Sequence, residues 1–101
     1  MKLKKLYVFV EGIDDVMFVE NIFFPILMRY YNDIDVIQYA QMKKLKTNKL
    51  IDSIGTLGFD YLILADIDQE PSFNHKRKVI QDRFPVAELR NIVIVISEIE
   101  S

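Results

Sequence analysis

The stretch Tyr61-Leu62-Ile63-Leu64-Ala65-Asp66-Ile67-Asp68 decides the fold. An unbroken apolar run, opened by an aromatic residue and closed by a small one, marks an interior strand of a parallel sheet covered on both faces. Asp66 and Asp68 follow at its carboxyl end, where open α/β sheets bind ligands. Residues i and i+2 of an extended backbone point the same way, so the two carboxylates can converge on one hard divalent cation.

Working outward, Leu6 to Val10 is a second continuous apolar run, stopped by Glu11-Gly12. Gly12 permits a tight exit, and Asp14 suits the N-cap of a helix spanning residues 15–31. That helix is apolar nearly all round, from Val16 and Met17 to Tyr30 and Tyr31, more than one face of a small sheet can cover. A homodimer contact or a missing partner domain is expected to cover it, and Pro25 should kink or restart it. Asp35 to Ala40 reads as a strand, and Gln41 to Lys46 as a basic connection. Thr47 or Asn48 caps a helix with Leu50, Ile51, Ile54 and Leu57 at helical spacing, closed by Gly58. Ser72 caps a further helix from Phe73 to about Phe84, ended by Pro85. Asn91 to Ile96, with five β-branched residues in a row, reads as the fourth buried strand.

Strands alternating with helices predict a three-layer α/β/α fold with a four-stranded, mainly parallel, Rossmann-like sheet. Right-handed crossovers and a shared rim for Glu11, Asp66 and Asp68 favour the strand order 2-1-3-4. The 101 residues make one domain, 1–101, either a minimal form or one lacking a C-terminal extension.

Composition narrows the chemistry. Half the residues are hydrophobic, enough for a core. With no cysteine, disulfides, zinc–thiolate sites and thiol catalysis are excluded, which suits a cytoplasmic location. No run is long enough to cross a membrane. The net charge of −2 rules out a generally basic nucleic-acid binder, yet Lys43, Lys44, Lys46 and Lys49, then Lys76, Arg77 and Lys78, form basic clusters beside the acidic strand ends. His75, in the first turn of the last helix, reads as an exposed polar residue.

Glu11-Gly12 after the first strand, Asp15 four residues later, and Asp66-Ile67-Asp68 after the third together resemble the TOPRIM domain, the metal-binding module of topoisomerases, primases and the overcoming-lysogenization-defect nucleases. The resemblance spans about Leu6 to Ile96. It implies that Asp66 and Asp68 bind Mg²⁺ or Mn²⁺, with Glu11 a further ligand or the general acid/base. Asp15 matches an acidic position of the nuclease members, and Glu98 or Glu100, after the fourth strand, is a candidate for a second metal. Lys43, Lys44, Lys46, Lys76 and Arg77 are the candidate phosphate contacts. Where many members carry a glycine soon after the acidic pair, this chain reads Gln69-Glu70-Pro71. The expected activity is nuclease-like hydrolysis of DNA or RNA. The alternative is a non-catalytic metal- or nucleic-acid-binding module within a dimer or larger assembly. A receiver-type phosphoacceptor domain also gathers acids at strand ends one and three, but requires a lysine after a fifth strand.

Overall fold

The structure, a computed structural model, describes residues 4–12, 17, 19–66 and 72–95. Its strands are β1 (Lys5–Val10), β2 (Asp33–Gln38), β3 (Asp60–Asp66) and β4 (Ile92–Val95). They form one sheet in the order β2-β1-β3-β4, all parallel, as the sequence predicts. Phe9 lies beside both Ile37 and Ile63, so β1 is interior although it comes first in the chain.

Side-chain alternation divides the core. Phe9, Tyr61, Ile63, Ile92 and Ile94 face one layer, where they meet Ile51 and Ile54 of α2 (Lys44–Leu57) and Ile80 of α3 (Phe73–Arg83). Leu6, Val8, Val10, Ile34 and Leu64 face the other, against the partly buried Phe23, Phe24 and Leu27. The long apolar runs of β1 and β3 therefore reflect burial on two faces. Phe84, just past α3, stands edge-on to Tyr39 at 4.9 Å and to Phe9 at 6.1 Å between ring centres.

The first helical region differs from the expected single helix over 15–31. A π-helical turn (Val19–Phe23) leads into the short α1 (Phe24–Leu27), with Pro25 in its first turn. Pro25 brings no amide proton, and the hydrogen-bonding pattern changes from π to α one residue before it. Helix ends at Leu27 rather than Tyr31; Met28–Tyr30 form a turn. The proposed cap Asp14 lies outside the described residues.

β2 starts at Asp33, two residues ahead of the apolar signal, because Lys5 of β1 pairs across the strands with Asp33 (3.4 Å) and Asp35 (3.0 Å). α2 begins at Lys44, with Lys43 at the N-cap and no side-chain cap. Thr47 and Asn48, expected to cap, lie buried inside the helix. Thr47 Oγ1 donates to the Lys44 carbonyl at 2.9 Å, and Asn48 Nδ2 donates to the carbonyls of Lys44 (2.8 Å) and Arg83 (3.2 Å), tying α2 to α3. Two expected boundaries hold. Gly58 ends α2 at φ +80, the left-handed conformation that a side chain would strain. Ser72 caps α3 by accepting from the His75 amide at 3.1 Å.

Candidate metal centre at the carboxyl rim

Because β1 and β3 are paired neighbours running the same way, Glu11, directly after β1, and Asp66, the last residue of β3, stand at one rim of the sheet. Carrying the β1–β3 register past Phe9 and Ile63 sets Glu11 opposite Ala65. For Asp66 the backbone position is described; it pairs with Val95 of β4. Asp68, Asp15, Glu98 and Glu100, and the Gln69-Glu70-Pro71 loop, lie outside the described residues. Among the described residues no three His, Cys, Asp or Glu side chains gather closely enough to hold a metal ion.

What the rim does hold is a buried lysine. Lys76, in the first turn of α3, is 4% exposed, and its Nζ lies 3.6 Å from Glu11 Oε2. Lys76, Ile80 and Phe84 follow each other at helical spacing and are all buried, so Lys76 occupies the rim-side end of the stripe that packs α3 on the sheet. An ammonium taken out of water costs several kcal/mol unless a carboxylate compensates it. Near a helix N-terminus it also opposes the helix dipole. Glu11 is one compensating carboxylate, and it remains one-third exposed.

The reading of Lys76 as a surface phosphate contact is thereby changed. The run Lys76-Arg77-Lys78 looks like a solvated basic face in sequence, but Lys76 is buried, Arg77 is half-buried and Lys78 is exposed. The usable signal was the four-residue spacing to Ile80 and Phe84. Lys43, Lys44 and Lys46 are exposed, as expected. Since α2 follows β2 and α3 follows β3, both helices start on the carboxyl side of the sheet, and these lysines share that end with Glu11. His75 is exposed.

Arg83 shapes the same end. Its guanidinium donates to the carbonyl oxygens of Tyr39 (2.6 Å) and Met42 (2.5 Å), fixing the bend that carries the chain from β2 to Lys43. At the opposite end of the sheet a cleft of about 630 Å³ opens between Lys4, Tyr30, Tyr31, Phe59 and Asp60. It is remote from the acidic rim and none of the expected site residues lines it.

Compared with known proteins, the chain matches no family model, no curated protein and no solved structure. Among the described residues no helix is long and apolar enough to cross a membrane.

The donor chemistry suits a hard divalent cation. Carboxylate oxygens are the ligands Mg²⁺ and Mn²⁺ take, and the chain has no cysteine to favour softer metals, although the ammonium of Lys76 beside Glu11 opposes a second cation there. Glu11 and Asp66, with Asp68 two residues on, would hold the metal.

Proposed function

We propose that the protein is a divalent-metal-dependent nuclease of TOPRIM type, hydrolysing phosphodiesters of DNA or RNA in the cytoplasm. The supporting observation is the shared rim: Glu11 and Asp66 close two paired parallel strands, and the starts of α2 and α3 lie on that same side. Bound Mg²⁺ or Mn²⁺ would neutralise charge on the phosphodiester and acidify a water. Glu11, one-third exposed, would accept a proton or ligate the metal. Exposed Lys43, Lys44 and Lys46, at the amino-terminal end of α2, would neutralise backbone phosphates, and the free amides of that helix end add an anion-binding contribution.

The test is cleavage of single- and double-stranded DNA and RNA with Mn²⁺ or Mg²⁺ by wild type and Glu11→Gln. Cleavage should vanish in the variant while its cooperative unfolding persists. A variant that cuts as fast as wild type removes Glu11 from the chemistry.

A non-catalytic module acting within a dimer is favoured by a different observation. Met17, Ile22, Ile26, Met28 and Tyr30 are each more than half exposed, an apolar concentration within one short region. We assign it to a contact between two copies of the chain. Glu20 and Arg29, both exposed, lie near opposite ends of the region with opposite charge, so two copies meeting antiparallel along it pair unlike charges.

A further inference from the structure

The cleft at the amino end of the strands, at about 630 Å³, has room for a small organic ligand. Its apolar walls are Tyr30, Tyr31, Phe59 and Leu57, and Tyr30 and Leu57 are 64% and 65% exposed. Two opposite charges stand among them. Lys4 is exposed, and its backbone is pinned to Asn32: its amide donates to Asn32 Oδ1 at 2.9 Å and its carbonyl accepts from the Asn32 amide at 2.7 Å. Asp60, the register partner of Leu6, is exposed and accepts the Tyr31 phenol. Yet Lys4 and Asp60 form no ion pair with each other, nor with any other of the described residues. Each can therefore exchange water for a ligand group of opposite sign. Lys5, the remaining charged residue at the cleft, is committed to Asp33 and Asp35. α2 ends at the cleft with Leu57 and Gly58, and no basic residue in its last turn balances the negative end of its dipole. The Asp60 side thus favours a cation, to which the aromatic rings add cation–π attraction, and Lys4 favours an anion.

We propose that this cleft binds a small zwitterion of amino-acid type with an aromatic or large apolar side chain. The ligand's ammonium lies against Asp60 and the end of α2, its carboxylate against Lys4, and its side chain on Tyr30, Phe59 and Leu57. A ligand carrying only a cation leaves Lys4 unused; one carrying only an anion is opposed by Asp60 and the helix end. The site lies at the other end of the sheet from Glu11 and needs neither metal nor nucleic acid. Tyr30 also closes the apolar region assigned to the two-copy contact, so the two surfaces meet at that residue.

The experiment is calorimetric titration of wild type, Lys4→Met and Asp60→Asn with three probes: L-phenylalanine, phenethylamine, which lacks the carboxylate, and 3-phenylpropionate, which lacks the ammonium. Wild type should bind L-phenylalanine at least about tenfold more tightly than either of the others, since each charged contact is worth that much. Lys4→Met should lower L-phenylalanine to the level of phenethylamine and leave phenethylamine unchanged. Asp60→Asn should lower it to the level of 3-phenylpropionate. In wild type, the backbone amide signals of Lys4, Phe59 and Asp60 should shift as L-phenylalanine is added. Phenethylamine binding as tightly as L-phenylalanine makes the cleft a cation site and overturns the proposal. So does binding that Lys4→Met does not weaken, or amide shifts confined to other residues. No binding of any probe by wild type at millimolar concentration overturns it outright. If Asp60→Asn does not fold, the exposed Lys4→Met and the three probes on wild type still decide between these outcomes.

Discussion

Tyr31 Oη donates a hydrogen bond to Asp60 Oδ2 at 2.8 Å, joining the turn after α1 to the first residue of β3. Burial first, then the hydrogen bond and charge of Asp60, push the Tyr31 pKa up to about 12 from its ordinary 10. The folded state thus favours the protonated phenol. Its contribution to stability is complete below pH 10 and is lost as pH rises through about 12. The pair is partly exposed, so the hydrogen bond is worth only about 1 kcal/mol. Tyr31→Phe should unfold slightly more easily at neutral pH and lose less stability between those two values than wild type does. Near-ultraviolet titration should show a phenol ionising near pH 12 missing from the variant. An unchanged titration curve would mean that Asp60 does not hold the phenol.

A second prediction concerns Arg83. Its guanidinium bonds the carbonyls of Tyr39 and Met42, with the rings of Tyr39 and Phe84 about 6 Å away. Hydrogen bonds from a charged donor contribute roughly 1.5–3 kcal/mol, and Arg83→Ala should cost about that much, lowering Tm by some 10 °C. Arg83→Lys retains the charge without the planar fork and should recover only part of the loss. Amide exchange over residues 39–43 should quicken in both variants. Unaltered exchange there would show that the loop does not depend on the guanidinium.

The apolar region before β2 makes the third. Light scattering should give a concentration-dependent mass rising to that of two chains, and Ile26→Asp should hold the protein at one. Glu20→Arg and Arg29→Glu should each weaken association, and the double variant should restore it, as a two-copy contact with paired unlike charges requires. A wild type that stays at one-chain mass throughout the concentration series removes the contact.

Much of this fold is legible in the sequence because burial on both faces leaves continuous apolar runs. Leu6–Val10 and Tyr61–Ala65 read as interior strands, and the acids after them marked one end of the sheet. Gly58 and Ser72 were legible because each meets a local backbone demand, a positive φ and an unsatisfied helix amide. The start of α2 was not. Lys43 and Lys44 carry no capping signal, and Thr47 and Asn48, the residues with capping chemistry, bond within the helix and to Arg83. Nor did charge alone place Lys76: a basic run is ordinarily solvated, and only its phase relative to Ile80 and Phe84 puts this lysine inside. The common strand-end position of Glu11 and Asp66 was legible, but the ion pair between Lys76 and Glu11 was not, since it depends on the path of α3 over the sheet.

The interior position of β1 bears on how the chain reaches this state. Its apolar core, Val8-Phe9-Val10, is synthesised some fifty residues ahead of its partner on one side, Asp60–Ile63. Closing so long a loop before any of that contact is gained makes the β1–β3 pairing a slow, non-local step. Until β3 arrives, this continuous apolar strand has one flank open. A nascent chain halted short of Asp60 is therefore the form most in need of a chaperone.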